Sequence, residues 1–154
     1  MHEVFLKKAI DIAYKGKYLT KPNPMVGCVI VKNNKVIADG YHMKYGSNHA
    51  EINALENLNK NNDISEKEFR QLTLYCTLEP CCHHGKTGPC TDAIIKSGIK
   101  KVVIGIKDPN PKVSGSGIQQ LKDNGIEVLS GFFEEELIEP VSYTHLTLPT
   151  TWLV

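Results

Sequence analysis

Two stretches far apart in the chain constrain its fold more than any other feature, because their side chains serve a purpose only if they meet. The first runs Thr77-Leu78-Glu79-Pro80-Cys81-Cys82-His83-His84-Gly85-Lys86-Thr87-Gly88-Pro89-Cys90 and is dense in thiols and imidazoles. The second is His49-Ala50-Glu51, an imidazole and a carboxylate two residues apart. A catalytic zinc takes about three protein ligands of N or S type and keeps one position open for water. It also needs a carboxylate that is not a ligand, to carry protons between that water and a substrate. His49, Cys81 and Cys90 can supply the ligands, and Glu51 the proton carrier. Glu51 alone would read as first-turn helix charge; beside two Pro-Cys steps it reads as chemistry.

The totals fit such a site in an ordinary soluble domain. The 154 residues are enough for one hydrophobic core, with apolar content of 41% and charged content of 23%. A net charge of +1 argues against a broad nucleic-acid footprint, which needs a basic face. No apolar run reaches the ~20 residues of a membrane span, and the start carries no signal pattern. Five cysteines, an odd number clustered with histidine, fit a reduced cytoplasmic metal site better than a disulfide framework.

Periodicity supplies the scaffold. Apolar residues at helical spacing predict a helix over 3–15 ending near Gly16, and a second over 49–58 with Ile52, Leu55 and Leu58 as its packed stripe. Residues 25–32 and 36–41 predict an antiparallel hairpin about the Asn33-Asn34 turn. Cys28, among Val and Ile, reads as a core thiol, and His42 closes the second strand. Residues 59–67 read as a solvated polar loop. A strand over 72–77, with Cys76 in its core, leads into Glu79-Pro80-Cys81. Pro89 suits the first turn of a helix through Lys96, which puts Cys90 at a helix N-terminus, where a thiolate is stabilised. A continuously apolar strand over 101–106 belongs in the sheet interior. Asp108-Pro109-Asn110-Pro111 follows as a rigid loop, the counterpart of Pro22-Asn23-Pro24. Gly115-Ser116-Gly117 reads as helix entry rather than a dinucleotide loop, since no strand precedes it and a third glycine is missing. A short strand over 126–129 and a helix starting near 134–137 complete the pattern.

Helices alternating with strands after an initial hairpin predict a three-layer α/β/α sandwich on a mixed sheet. His49 and Glu51, at i and i+2, share no helix face, so they reach one site only from the helix N-terminus. The helix ends carrying His49/Glu51 and Cys81/Cys90 must therefore converge. Beyond Pro140 neither period survives. Residues 1–139 are expected to form one domain, and residues 140–154 a non-native or disordered tail.

These residues resemble the cytidine-deaminase-like superfamily and, within it, the deaminase domains of the bifunctional riboflavin-biosynthesis proteins. The resemblance rests on Pro22-Asn23-Pro24, Val26-Gly27-Cys28, Gly40-Tyr41-His42, His49-Ala50-Glu51, the whole stretch from Thr77 to Thr87, Pro89-Cys90, and Asp108-Pro109-Asn110-Pro111. Its specific part is the long Cys81-to-Cys90 spacing filled by His-His-Gly-Lys-Thr; cytidine, deoxycytidylate and tRNA-adenosine deaminases resemble P-C-x-x-C instead. The resemblance implies a cytidine-deaminase-like fold and zinc on His49, Cys81 and Cys90. It implies a reaction too, hydrolytic loss of an exocyclic amine from 2,5-diamino-6-(5-phosphoribosylamino)pyrimidin-4-one. Asn23, His42, His83 and Lys86 would contact this small-molecule substrate, with Asp108 and Asn110 beside them. Lys86 suits the phosphate. Homo-oligomers are common among such proteins, and no nucleic-acid or membrane partner is expected. The departures are Cys82, where many relatives carry a small residue, and the family's reductase domain, of which these residues show nothing.

Two other readings use the same residues. One is a nucleoside, nucleotide or tRNA deaminase with the same zinc chemistry. The other is a structural zinc module closed by His83 or His84 as fourth ligand, which would bind a partner and activate no water.

Overall fold

The computed structural model describes residues 2–16, 25–43, 48–61, 63–82, 89–111 and 113–132. Helix α1 (His2–Ala13) ends in a 3-10 turn at Tyr14–Gly16 and leads to strands β1 (Gly27–Lys32) and β2 (Lys35–Tyr41). Helices α2 (Ala50–Asn61) and α3 (Glu66–Phe69) precede β3 (Thr73–Leu78). Then come α4 (Cys90–Ser97), β4 (Lys101–Ile106), α5 (Ser116–Asp123) and β5 (Glu127–Leu129). The sheet order is β2-β1-β3-β4-β5. β1 is antiparallel to both β2 and β3, whereas β3, β4 and β5 run parallel, so the sheet is mixed as expected.

Strand period two divides the core between the two faces. Val29, Val31, Tyr75 and Val103 pack with Phe5, Leu6 and Ala9 of α1. Cys28, Ile30, Leu74, Cys76, Val102 and Ile104 point the other way, onto Ala54 and Leu58 of α2, Ile94 of α4 and Leu121 of α5. The result is the three-layer sandwich, with α1 on one face and α2, α4 and α5 on the other among the described residues. No helix among these residues is long and apolar enough to cross a membrane.

Asn33 and Asn34 both take positive φ, 51° and 63°, and close the β1–β2 hairpin. Asparagine tolerates that region because its short amide bonds locally. The loop expected over 59–67 is different in the structure. α2 runs on to Asn61, and α3 starts on Ser65, whose Oγ accepts from the Glu68 N–H at 3.3 Å and donates to Glu68 Oε1 at 3.1 Å. Ser65-Glu66-Lys67-Glu68 is a capping-box sequence, a local signal that outweighs the polarity of the stretch.

The packed stripe of α2 also differs from expectation. Ala50, Ala54, Leu55 and Leu58 are buried, and Ile52 is only half-buried. Small residues are needed on that face because α2 lies directly on β2. A Cβ on Gly40 would stand 2.3 Å from the Ala54 nitrogen and 2.6 Å from the Ala50 oxygen. Asn53 and Asn57 fix the contact by donating from Nδ2 to the carbonyls of Tyr41 and Asp39, each at 2.8 Å. Gly40→Ala meets backbone, which cannot rotate away, so it should cost about 3 kcal/mol, the upper end for overpacking. Chemical denaturation reads this directly, and an unchanged midpoint would show that α2 can retreat. The expected helix near 134–137 and the boundary between 139 and 140 lie outside the described residues.

Candidate metal centre

The site forms where two helix N-termini meet the carboxyl end of β3. His49 stands immediately before α2, and its carbonyl accepts the Asn53 N–H at 3.1 Å. Cys90 is the first residue of α4, after Pro89 at φ −61° and ψ 135°. Proline fits there because its fixed φ suits the helix entry and its missing N–H is not needed. Cys81 follows β3 and takes up the exposed N–H groups of α4. Its Sγ accepts from the Cys90 N–H at 3.4 Å, and its carbonyl from the Thr91 N–H at 3.1 Å. Helix N-termini leave such donors unpaired, and a sulfur there gains both the bond and the helix dipole.

His49 Nδ1 lies 3.3 Å from Cys90 Sγ and 3.6 Å from Cys81 Sγ, and the three ligand atoms all lie within 4.8 Å of one another. Tetrahedral zinc bond lengths place such ligand atoms about 3.5–3.8 Å apart. One imidazole and two sulfurs at that spacing, all half-buried or buried, suit zinc. Cys82 is not one of the converging groups. It is half-buried and shares a small cavity with Glu79, Asp108 and Val113. The histidines His83 and His84 lie outside the described residues, as do Asn23 and Lys86.

The electrostatics suit a cation. The hydrogen bond from the Cys90 thiol holds the Cys81 thiol down at about 4, with further support from His49. Cys90 is pushed far up, first by that same bond and then by burial. The first proton therefore leaves the sulfur pair easily, and the second is held until another positive charge replaces it. His49 is raised by its contact with Cys81 against the opposing effect of burial. Metal binding to such a set must release protons.

Glu51, in the first turn of α2, is 3% exposed, and its Oε1 finds no hydrogen-bond partner among the described residues. Burial raises its pKa, with the charge of His49 opposing. A buried carboxyl oxygen without a partner costs stability and needs a reason. Substrate or water at the metal position would provide one. His42 is not a surface residue. It is 3% exposed, its ring is perpendicular to that of His49 at 5.5 Å, and its Nδ1–H donates to the Asn48 carbonyl at 3.1 Å. Burial lowers its pKa and favours the neutral ring.

Asp108 and Asn110 lie on the turn after β4, where Asp108 Oδ1 accepts the Asn110 N–H at 2.9 Å. That turn is fixed by a residue to which sequence reasoning gave no role. Glu79 is 5% exposed and accepts from three backbone N–H groups, those of Asp108, Gly115 and Ile118. Its partners lie 29 to 39 positions away, and no local pattern announces them. The only signal was an acid inside an apolar strand end, Leu78-Glu79-Pro80.

Residues 1–106 match the family described as the cytidine and deoxycytidylate deaminase zinc-binding region. The diaminohydroxyphosphoribosylamino-pyrimidine deaminase of Buchnera aphidicola subsp. Schizaphis graminum is 50% identical over 132 residues, which is 86% of this chain and 85% of that protein. The riboflavin biosynthesis protein RibD of Actinobacillus pleuropneumoniae is 48% identical over 92% of this chain, which spans 36% of RibD's length. Among solved structures, the Thermotoga maritima diaminohydroxyphosphoribosylaminopyrimidine deaminase/5-amino-6-(5-phosphoribosylamino)uracil reductase aligns with a TM-score of 0.83 at 50% identity. That alignment covers 91% of this chain and 39% of the other. The chain thus spans little more than a third of the Actinobacillus and Thermotoga proteins and most of the Buchnera one.

Proposed function

The chain belongs to the cytidine and deoxycytidylate deaminase zinc-binding family, and from that premise we propose that it hydrolyses an exocyclic amine from a phosphoribosylated diaminopyrimidine. The substrate would be 2,5-diamino-6-(5-phosphoribosylamino)pyrimidin-4-one, and the products ammonia and 5-amino-6-(5-phosphoribosylamino)uracil. Two relatives bearing that activity in their names, each at 50% identity, support the assignment. The observation that carries the chemistry is the buried, unpartnered oxygen of Glu51 beside a His/Cys/Cys trio of zinc-binding geometry.

His49, Cys81 and Cys90 would hold the zinc. When bound there, zinc supplies the Lewis acidity that activates water near neutral pH. Glu51 would take a proton from the attacking water and pass it to the ring nitrogen, then take the remaining proton of the added hydroxyl and deliver it to the departing amine. Water adds across the C=N bond, the C–NH2 bond breaks, and a carbonyl and ammonia remain. Burial suits Glu51 to this shuttle by making it a stronger proton acceptor than a solvated glutamate. His42, whose ring packs against that of His49, would orient the site and meet the pyrimidine edge. Asp108 and Asn110 would approach from the β4 side; Asn23, His83 and Lys86 complete the proposed substrate contacts by their match to the family pattern.

A structural zinc module would have no use for a buried carboxylate oxygen left without a partner beside the ligand trio, and that favours the enzyme. The test is ammonia release from the phosphoribosylated diaminopyrimidine, cytidine, deoxycytidylate and a tRNA anticodon stem, with zinc quantified in the same preparation. Preference for the first by at least about a hundredfold in kcat/KM is expected, since pocket polar groups left unpaired by a wrong substrate discriminate strongly. Preference for another substrate would assign the nucleoside or tRNA reading. Stoichiometric zinc without turnover on any would return the structural module.

A further inference from the structure

We propose that Glu79 is a positioning residue: its carboxylate clamps the Asp108–Asn110 turn and the first turn of α5 against the Cys81 loop and so sets substrate affinity. The inference rests on the reading that Asp108 and Asn110 meet substrate. Glu79 Oε1 accepts from the Asp108 and Gly115 N–H groups, each at 2.9 Å, and Oε2 accepts from the Ile118 N–H at 3.1 Å. Its own N–H donates to the Ile106 carbonyl at 2.9 Å, so the residue is held from both ends.

These three donors have a common need. Asp108 lies just past β4, Gly115 is a left-handed residue at φ 84°, and Ile118 is the third residue of α5. α5 has no side-chain cap of its own, because its N-cap is Gly115. Glu79 supplies that cap from another part of the chain and places a negative charge at the helix N-terminus, where the dipole favours it. The fit is close enough to require glycine opposite: a Cβ on Gly117 would stand 2.2 Å from the Pro80 oxygen and 3.2 Å from Glu79 Oε2. The Gly115-Ser116-Gly117 sequence is thereby explained. One glycine provides the left-handed turn and the other the close approach.

The consequence is specific to binding. Glu79 is not among the three converging metal ligands, but it lies two residues before Cys81 and bonds directly to Asp108. It therefore fixes the distance between the metal loop and the Asp108–Asn110 turn. Asp108 in turn is fixed through its bond to the Asn110 N–H.

The experiment compares Glu79→Gln and Glu79→Ala with the wild type, alone and on an Asp108→Ala/Asn110→Ala background. Glutamine keeps one oxygen for the Asp108 and Gly115 donors but turns an NH2 group toward Ile118. KM for the phosphoribosylated diaminopyrimidine should therefore rise about threefold in the glutamine variant and tenfold or more in the alanine variant. Zinc should stay stoichiometric and kcat within about threefold. On the double-alanine background the KM effect should vanish, because groups acting through one another are not additive. Equal effects on both backgrounds, a fall in kcat with loss of zinc, or no effect would each overturn the proposal. Should the alanine variant fail to fold, Glu79→Gln and Gly117→Ala, which presses on the clamp from the α5 side, carry the same comparison. Amide hydrogen exchange at Asp108, Gly115 and Ile118 separates this inference from the substrate assignment. Without turnover on that substrate in the wild type, exchange at least tenfold faster at the Ile118 amide in Glu79→Gln, and at all three amides in Glu79→Ala, still supports the clamp. Unchanged exchange sinks it.

Discussion

Glu51→Gln protein should bind zinc stoichiometrically and turn over about 10⁴-fold more slowly than the wild type, a loss of roughly 5 kcal/mol of transition-state stabilisation. The size follows from the number of proton transfers assigned to this one group. No other buried carboxylate among the described residues lies at the metal centre; Glu79, the other buried acid, is engaged by three backbone donors. Glutamine fills the same space beside Cys90 and His49, so the ligand trio should keep its geometry. The same substitution should stabilise the zinc-free protein at neutral pH. Glu51 is raised by burial above its ordinary 4.5, so the folded state holds its proton to higher pH than the unfolded chain does. The stability that this proton contributes is fully present below the unfolded value and is lost as pH rises through the folded one. Glutamine never ionises and escapes that loss. A metal assay, a turnover assay and a thermal melt after chelation test all three expectations. Normal turnover in this variant would remove Glu51 as the proton carrier.

Cys90→Ala should lose zinc and activity together. Cys90 is fully buried at the first position of α4, and its sulfur lies against both His49 and Cys81. Removing it leaves two ligands where about three are needed, and it also opens a small void in the interior. Metal that binds only the folded state stabilises it by mass action, so the melting temperature of the variant should no longer respond to added zinc. Wild type should respond strongly. Stoichiometric zinc retained by Cys90→Ala would mean that the ligand set is wrong, with Cys82 the first replacement to examine.

Local patterns carried much of the architecture. The amphipathic run of α1, the Asn33-Asn34 hairpin, the apolar strand at 101–106 and the proline entry to α4 each follow from the chemistry of neighbouring residues. The capping box at Ser65–Glu68 was equally local; the polarity of its surroundings concealed it. Ile52 misled for a different reason. Helical spacing identifies which residues share a face, yet the close approach of Gly40 decides that alanines, not the isoleucine, occupy the contact.

The sequence by itself determined the donor types and their spacing: one imidazole, distant sulfurs and a carboxylate two residues along, with His49, Glu51 and Cys90 at helix starts and Cys81 just past a strand. Those are covalent facts, and helix propensity acts over a few residues. Only the tertiary structure decided that His42 packs on His49, that Cys82 is not among the converging ligands, and that Glu79 bonds the N–H groups of Asp108 and Gly115. The partners in these contacts come from separate elements, brought together by burying both faces of one sheet. Nothing in a short stretch of chain records which backbone N–H groups will arrive from 29 to 39 residues away.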